Sequence, residues 1–465
     1  MTSPDPSALA RRATSRLAHA VRLWQRYLEP ERLPQLDRWI AQELKQQRQF
    51  GKQDRQAYSE ILFAAIRFGY LALFLDFARE RFDPQGRDGL AAFLGATQAP
   101  FARLFAEPDA AVKALRRIPP QTLFYVVGRR YQSEPGATAW PLAGAPAAES
   151  RVLDLLFDAF AALQADTAEL WPRLLWAGIP LSFGPALERR VAQLGWSAAE
   201  SAAFLAAQGR RPPLWLRLNR PEQSAAVVEE LRRRGLDVTA RDQALRVEGE
   251  RSIYELKAFE EGLFEIQDLA SQRIGAECAA RPGELVWDAC AGGGGKTMQI
   301  AAALRNRGAV YASDIREYKL KEVRRRAARA RFDNVRTFVW QGEALPQLPR
   351  EVAKQGGFHW VLVDAPCTST GTWRRNPDAR FRAGAAEVAD LAALQLRLLG
   401  SAARAVRPGG HLVYSTCSWL VAEDEAVIER FLAENPQFQL KRQLLHGNPY
   451  DDADTMFSAQ LYLPA

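Results

Sequence analysis

The chain is expected to be an α/β protein built on a Rossmann-like, doubly wound sheet. A small α/β lobe precedes that sheet, and an all-helical region comes before the lobe. Three observations carry this expectation. From residue 260 onward, short apolar runs alternate strictly with helical patterns. The stretch ELVWDACAGGGGKT (284–297) joins an apolar strand to a helix through four consecutive glycines. Ahead of Pro212 the apolar spacing is helical, and beyond it an alternation of period two sets in.

Size and composition bound the rest. With 465 residues, a prior of ~150 residues per domain gives about three domains. The hydrophobic fraction of 48% and charged fraction of 25% are those of an ordinary globular chain. No apolar run approaches the ~20 residues of a membrane span; residues 68–77 come nearest. The start, MTSPDPSALARRATSRL, has no apolar signal core. A cytoplasmic, monomeric protein with neither membrane nor metal partner is expected. The net charge of +8 favours an anionic partner such as nucleic acid, although an Arg- and Ala-rich composition drifts basic by itself. Four cysteines in so long a chain argue against a disulfide scaffold, and Cys278 reads as a small buried hydrophobe.

Taken in order, residues 1–130 read as helices. Leu17, Val21, Trp24 and Leu28 share one helical face, with Arg12, Arg16, Arg22 and Arg26 on others. A second helix is expected from Asp54 as N-cap, carrying Tyr58, Ile61, Leu62, Ala65 and Phe68. Residues 132–150, rich in Pro, Gly and Ala, are a candidate linker or surface insertion. Helical pattern resumes over 151–208 with a break at 178–185. Leu214, Leu216 and Leu218 then alternate with Trp215, Arg217 and Asn219 as a half-buried strand, opening a lobe of βαββ order. Its Arg217 and Arg232 to Arg234 are candidates to grip a phosphate backbone, although solvated helix arginines are commoner. Strands follow at 285–287, 309–313, 335–339, 360–363 and 411–415, with helices at 297–307, 319–331 and 386–405. The expected domains are 1–140, 141–210, 211–260 and 261–465.

Ligands of doubly wound sheets bind outside the carboxyl ends of the strands, so the residues there are read together. The glycine loop ends the first strand. Asp314, in VYASDI, ends the second, about twenty residues on, where an acidic side chain takes the hydroxyls of a bound ribose. The fourth strand ends in VLVDAPCTSTGTWRRNPD and the fifth in LVYSTCSW, delivering Cys367 and Cys417 to neighbouring strand ends. A dehydrogenase has no use for two such thiols, and a pyrimidine methyltransferase does. Carbon 5 of cytosine is too weak a nucleophile to attack a methyl sulfonium until a thiolate adds at carbon 6. Protonation at N3 helps that addition and calls for a carboxyl such as Asp364, and a base must later remove the carbon 5 proton.

The motifs DACAGGGGKT, DAPCTSTG-x-x-RRNPD and STCS followed by an acidic helix at 423–425 resemble the RsmB/Sun-type RNA 5-methylcytosine methyltransferases. IQDLASQ (266–272) and RPPLWLRLNR (211–220) extend the resemblance over residue 211 to the end. It implies a class I S-adenosylmethionine-dependent methyltransferase fold with a small RRM-like lobe. It further implies an N-terminal domain like the antitermination factor NusB, whose second helix KQDRQAYSEILFAAIRFGYL resembles. By the same resemblance Cys417 is the nucleophile and Cys367 assists proton removal or product release. Cys290, Ala291, Gly292, Gly293, Gly294, Gly295 and Lys296 hold the methionine part of S-adenosyl-L-methionine, Asp314 the ribose, and Glu343 in WQGEAL the adenine amine. Asp364 lies between cofactor and target cytosine, with Lys296 close to the base.

The family loop usually reads Ala-Pro-Gly-Gly, where this chain has Ala291, Gly292 and Gly293; it has Glu343 where Asp is usual and Val421 where Pro often stands. Arg374 and Arg375 are expected to contact phosphate, and the arginines between 324 and 331 to form a solvated helix face. The expected activity is RNA cytosine 5-methylation, with small-subunit ribosomal RNA as the substrate implied and tRNA as the alternative. The rivals are a non-catalytic ribosome-assembly scaffold, and a DNA methyltransferase in which Cys367 would be the essential thiol.

Overall fold

The computed structural model describes residues 6–83, 89–135, 137–143, 151–249 and 252–465. They form two compact units, Met1–Arg211 with Trp373–Ala385, and Pro212–Thr372 with Ala386–Ala465. The candidate linker at 132–150 lies partly outside the described residues, as do the first five residues of the N-terminus.

The first unit is helical among its described residues. It comprises α1 (Pro6–Leu28), α2 (Leu36–Gln46), α3 (Lys52–Arg67), α4 (Gly69–Arg79), α5 (Leu90–Leu104), α6 (Pro108–Leu115) and α7 (Pro120–Gln132). It continues with α8 (Arg151–Asp166), α9 (Leu170–Trp176), α10 (Gly184–Leu194) and α11 (Ala198–Gln208). The apolar run at 68–77 becomes α4, the helix at the centre. Phe74 is fully buried, with the rings of Phe101, Phe160 and Trp171 at 5.2, 5.4 and 5.6 Å. No single helix among the described residues is long and apolar enough to cross a membrane; α3 and α4 together are, but they bend by 63°. Asp54 is not the N-cap of α3. Gly51 holds that place, and Asp54, in the first turn, takes Arg16 at 3.1 Å.

The segment Trp373–Ala385, far along the chain, completes this unit. Phe381 stacks on Tyr70 at 4.5 Å, and a side chain on Gly69 would meet Phe381 at 2.9 Å. Arg380 is fully buried and donates to the carbonyls of Arg67, Ala177, Gly178 and Gln208 at 2.8–3.2 Å. One guanidinium thus satisfies four orphan acceptors from three chain segments, where helices end and no intrahelical partner exists.

The second unit begins with a four-stranded antiparallel sheet of order β2-β3-β1-β4. Its elements are β1 (Leu214–Leu218), α12 (Ser224–Arg233), β2 (Asp237–Arg241), β3 (Ala244–Glu248), α13 (Lys257–Glu260) and β4 (Phe264–Ile266). The lobe therefore runs past residue 260. Strand β1 is buried on both faces, Leu216 and Leu218 packing with Val227 and Leu231 of α12 and Trp215 on the other side with Leu269 and Ile274, so it is not the half-buried strand expected.

The larger sheet follows. Its elements are α14 (Leu269–Glu277), β5 (Leu285–Asp288), α15 (Gly295–Leu304), β6 (Ala309–Asp314), α16 (Glu317–Ala330), β7 (Val335–Val339) and α17 (Arg350–Ala353). They continue with β8 (Phe358–Asp364), α18 (Ala385–Ala403), β9 (Val406–Thr416), α19 (Glu425–Glu434), β10 (Gln439–His446) and β11 (Met456–Tyr462). The order is β10-β11-β9-β8-β5-β6-β7. Five strands are parallel, and β11 and β10 join antiparallel at the β9 edge, so the sheet is mixed rather than wholly parallel. Strand order reverses at β5, which pairs β6 on one side and β8 on the other; the crevice outside such a reversal is where ligands bind.

Replacing Arg380 by Leu strands four buried carbonyls. Unsatisfied buried acceptors cost roughly 1–3 kcal/mol each before relaxation, so Arg380→Leu is expected to lower stability by at least about 3 kcal/mol. The urea midpoint of the transition followed by helical circular dichroism should fall accordingly; an unchanged midpoint would refute the bridging role.

Candidate active site

At the reversal point β5 ends in Asp288, and the glycine loop carries the chain into α15. Gly292 and Gly294 sit at φ of +53° and +85°, a left-handed backbone that disfavours side chains. A side chain on Gly294 would press on Val323 at 3.0 Å, whereas one on Gly292 would meet nothing within 4 Å. The loop therefore presents bare backbone to open space. The N–H groups of Ala291 and Gly294 are used internally, on Ser313 and Ala291 carbonyls at 2.8 Å. The Gly293 carbonyl receives Arg326 at 2.5 Å, and Cys290 is half-buried, its thiol pushed up by burial and by Asp288, Asp364 and Asp314.

Asp288 is buried and accepts the Thr297 hydroxyl at 2.6 Å. Burial raises its carboxyl to about 7, against the opposing Thr297 bond. Asp314, at the end of β6, accepts the Gly292 N–H at 3.1 Å, with Arg316 N–H and Nε at 2.9 and 3.0 Å. Burial pushes this carboxyl up, but the bonds from Arg316 and Gly292 outweigh it and hold Asp314 below its ordinary range. Glu343 lies on the loop after β7, exposed, lining a depression with Tyr311, Trp340 and Pro346. None of the bonds among the described residues joins its side chain to the glycine loop.

Lys296, in the first turn of α15, is buried and reaches across to β8, its Nζ 2.7 Å from Asp364 Oδ2. Ser415 of β9 donates to the other Asp364 oxygen at 2.8 Å. Burial works against the charged lysine, but Asp364 more than offsets it, so its pKa stands above the ordinary value. The residues paired across β8 and β9 are Asp364 and Ser415. Beyond them the chains continue into the two cysteine loops, and Cys367 Sγ and Cys417 Sγ lie 3.2 Å apart, both half-buried. The Ser369 hydroxyl is 3.5 Å from Cys417 Sγ.

The two thiols are driven apart in acidity. The bond from Cys367 stabilises a Cys417 thiolate and, against burial, draws the Cys417 pKa down, with Ser369 and Lys296 acting in the same sense. That same bond, together with burial, raises Cys367 well above an ordinary thiol. Cys417 is thus the more acidic thiol of the pair and Cys367 the less acidic.

Sequence reading missed what holds these loops. Glu423 and Asp424 precede α19 and are fully buried, not part of an acidic helix face. Glu423 accepts the N–H and hydroxyl of Thr368 at 2.9 and 2.6 Å, and Gln395 at 3.1 Å. Asp424 accepts the Thr416 hydroxyl at 2.6 Å. Each cysteine is therefore flanked by a threonine tied to a buried carboxylate. Thr370 and Ser418 hydroxyls meet at 3.0 Å, and Gly371 N–H donates to the Cys417 carbonyl at 3.0 Å. The signal lay in the threonines beside both cysteines and the acidic pair downstream.

Other expectations are corrected. Arg374 is buried in the helical unit, its Nε on the Arg210 carbonyl at 3.3 Å and its own carbonyl taking Arg67 at 3.0 Å, so it is no surface phosphate contact. Arg217 is buried, with Nε on Gln267 at 2.6 Å. Arg326 and Arg329 are not solvated; both grip the buried Glu265, at 2.8 and 2.6 Å.

Alkylation tests the division of the thiols. Limiting iodoacetamide near neutral pH should label Cys417 before Cys367, as peptide mass mapping would show. Cys367→Ala removes the donor that lowers the Cys417 pKa, so the pH midpoint of Cys417 alkylation should move upward. A midpoint unmoved, or first labelling at Cys367, would reverse the assignment.

Residues 277–462 match the family described as 16S rRNA methyltransferase RsmB/F. A probable ribosomal RNA small subunit methyltransferase B of Synechocystis is 34% identical over 252 residues, 52% of this chain and 55% of that protein. The ribosomal RNA small subunit methyltransferase B of Salmonella arizonae is 33% identical over 246 residues, 51% and 55% of the two chains. The match covers about half the length of these curated relatives. Among solved structures, PH0851 superposes with a TM-score of 0.63 at 22% identity, covering 99% of both chains. NSun6 from Pyrococcus horikoshii, solved with SFG, gives 0.52 at 19% identity over 60% of this chain and 98% of that one. At such identities the structural likeness speaks for the fold, that of the class I methyltransferases. The paired cysteine loops and the glycine cradle both lie within residues 277–462, the stretch that is similar to the RsmB/F family.

Proposed function

We propose that the protein is an S-adenosylmethionine-dependent RNA cytosine 5-methyltransferase acting on small-subunit ribosomal RNA through a covalent bond from Cys417 to carbon 6 of the base. The observation that carries this reading is the pair of thiols 3.2 Å apart at the ends of adjacent parallel strands, beside the Lys296–Asp364 pair. The ribosomal substrate draws on the names of the relatives and on the chain's positive charge.

The residues at the glycine loop fit the cofactor. Open space at Gly292 lets a ligand lie against the backbone, and the start of α15 offers N–H groups to a carboxylate. Asp314 accepts two bonds on each oxygen from Gly292 and Arg316, and a ribose hydroxyl there would replace the longest of them, from Arg316 Nη2 at 3.3 Å. S-adenosylmethionine, when bound, supplies the electrophilic methyl group. The Cys417 thiolate forms the bond to carbon 6, and the ring's 5,6 electron pair moves so that carbon 5 becomes nucleophilic. Asp364, fixed by Lys296 and Ser415, holds the proton at N3 that this addition needs. Once Cys417 sulfur is bonded to carbon its charge is gone, and with it the first cause that keeps the Cys367 proton in place. Cys367 then gives its own proton to solvent and, as thiolate, takes the carbon 5 proton; the C–H electron pair re-forms the 5,6 double bond as the Cys417–carbon bond breaks and the Cys417 thiolate returns. We read the helical region 1–140 as the part that grips structured RNA, since a paired cytosine must be unstacked to reach a thiol.

The test is a covalent trap. Cys367→Ala, incubated with S-adenosylmethionine and total RNA of the host, should give a heat-stable protein–RNA adduct on a denaturing gel. Adding Cys417→Ala should abolish it, and sequencing the captured RNA names the substrate. No adduct, together with a wild type that fails to methylate RNA lacking 5-methylcytosine, would favour a scaffold.

A further inference from the structure

Two motifs have no part in the reaction centre, RPPLWLRLNR in the small lobe and IQDLASQ before the glycine loop. Both line one groove of about 1180 Å³ between the lobe and the methyltransferase sheet. The groove lies at the far end of α15 from Lys296. That helix runs from the site to Ala303 and Arg305 in the groove wall, roughly 15 Å at ~1.5 Å per residue.

Its chemistry is that of a phosphate track. Arg220, Arg305 and Arg331 line it, and among the described residues none of their guanidinium groups is in an ion pair or hydrogen bond. Small apolar residues, among them Ala276, Cys278 and Ala280, share the lining with the carboxylates of Glu222 and Asp242, the latter 3.8 Å from Arg273. Two further lining residues carry unmet hydrogen-bonding capacity. Arg217 is 95% buried, its Nε on Gln267 at 2.6 Å, while its Nη2 has no partner. Asn219, equally buried, donates from Nδ2 to the Gly262 carbonyl at 2.8 Å and leaves Oδ1 unpartnered. A charged donor and an amide acceptor left buried without partners are costly in an empty groove. Both atoms are closed to solvent, so phosphate contacts fall to the exposed guanidinium groups of Arg305 and Arg331 and the half-buried one of Arg220.

We infer that this groove binds a stretch of the RNA substrate's sugar-phosphate backbone, holding it at a distance from the cytosine delivered to Cys417. The inference rests on the RNA reading above. Two residues of the groove wall are tied together through Gln267, which bonds Arg217 on one side and Gln299 of α15 at 3.1 Å on the other.

The probe is small-subunit ribosomal RNA transcribed in vitro, with binding measured at several salt concentrations. Arg305→Glu with Arg331→Glu, and separately Arg220→Glu, are exposed or half-buried changes that spare the core. The double variant should lose at least about tenfold in affinity, and its salt slope should fall by about 1 for each phosphate contact removed. The same charge reversal at Arg233, on the outer face of α12, is the control and should cost less than about twofold. S-adenosylmethionine affinity equal to wild type in every variant shows that the fold is kept. Equal losses in the control, or no loss in the groove variants, would overturn the groove while leaving the RNA reading standing. A wild type that binds no RNA would overturn both.

Discussion

The structure of the site depends on two buried carboxylates that touch no reacting atom. Glu423 and Asp424 sit side by side in the chain yet fasten different loops, one through Thr368 and the other through Thr416. Charge-assisted bonds in a dry interior are strong, and left unmet they are costly, so the loops have one arrangement that satisfies both acids. That arrangement sets the two thiols at 3.2 Å. Parallel pairing of β8 with β9 supplies the coarse alignment, and the acids supply the last ångström.

Much of this was legible in the sequence because strand ends in a doubly wound sheet are predictable places. The glycine loop, Asp314, Asp364 and the two cysteines fall where alternating strands and helices put them. What escaped was set by tertiary context. Strand β10, QLKRQLLH, is polar and mostly exposed because it is the sheet's edge, so it shows no apolar alternation. Strand β4 has three residues, too few for any period. Arg217 and Arg374 read as surface cations, since the sequence shows a charge but not the carbonyl or amide that meets it in the interior. The register of Glu423 and Asp424 with the threonines could not be read, as it depends on β9 lying beside β8.

The polar interior has a common logic across both units. Arg380 gathers four carbonyls in the helical unit, and Glu265 gathers Arg326 and Arg329 against the small lobe. In each case a long or branched polar side chain joins segments distant in sequence, and each is satisfied only when all its segments are present. Such residues add specificity to an apolar core that by itself tolerates sliding.

The assignment of Trp373–Ala385 to the helical unit bears on how this architecture can change over generations. The chain leaves the loop that bears Cys367, contributes Arg380 and Phe381 to the interior of the N-terminal helices, and returns as α18. A domain joined by a single linker can be traded for another by one recombination event. Here a cut near residue 211 would leave the helices without their interior arginine and the catalytic chain with an orphaned apolar segment. The chain therefore passes between the two units three times rather than once.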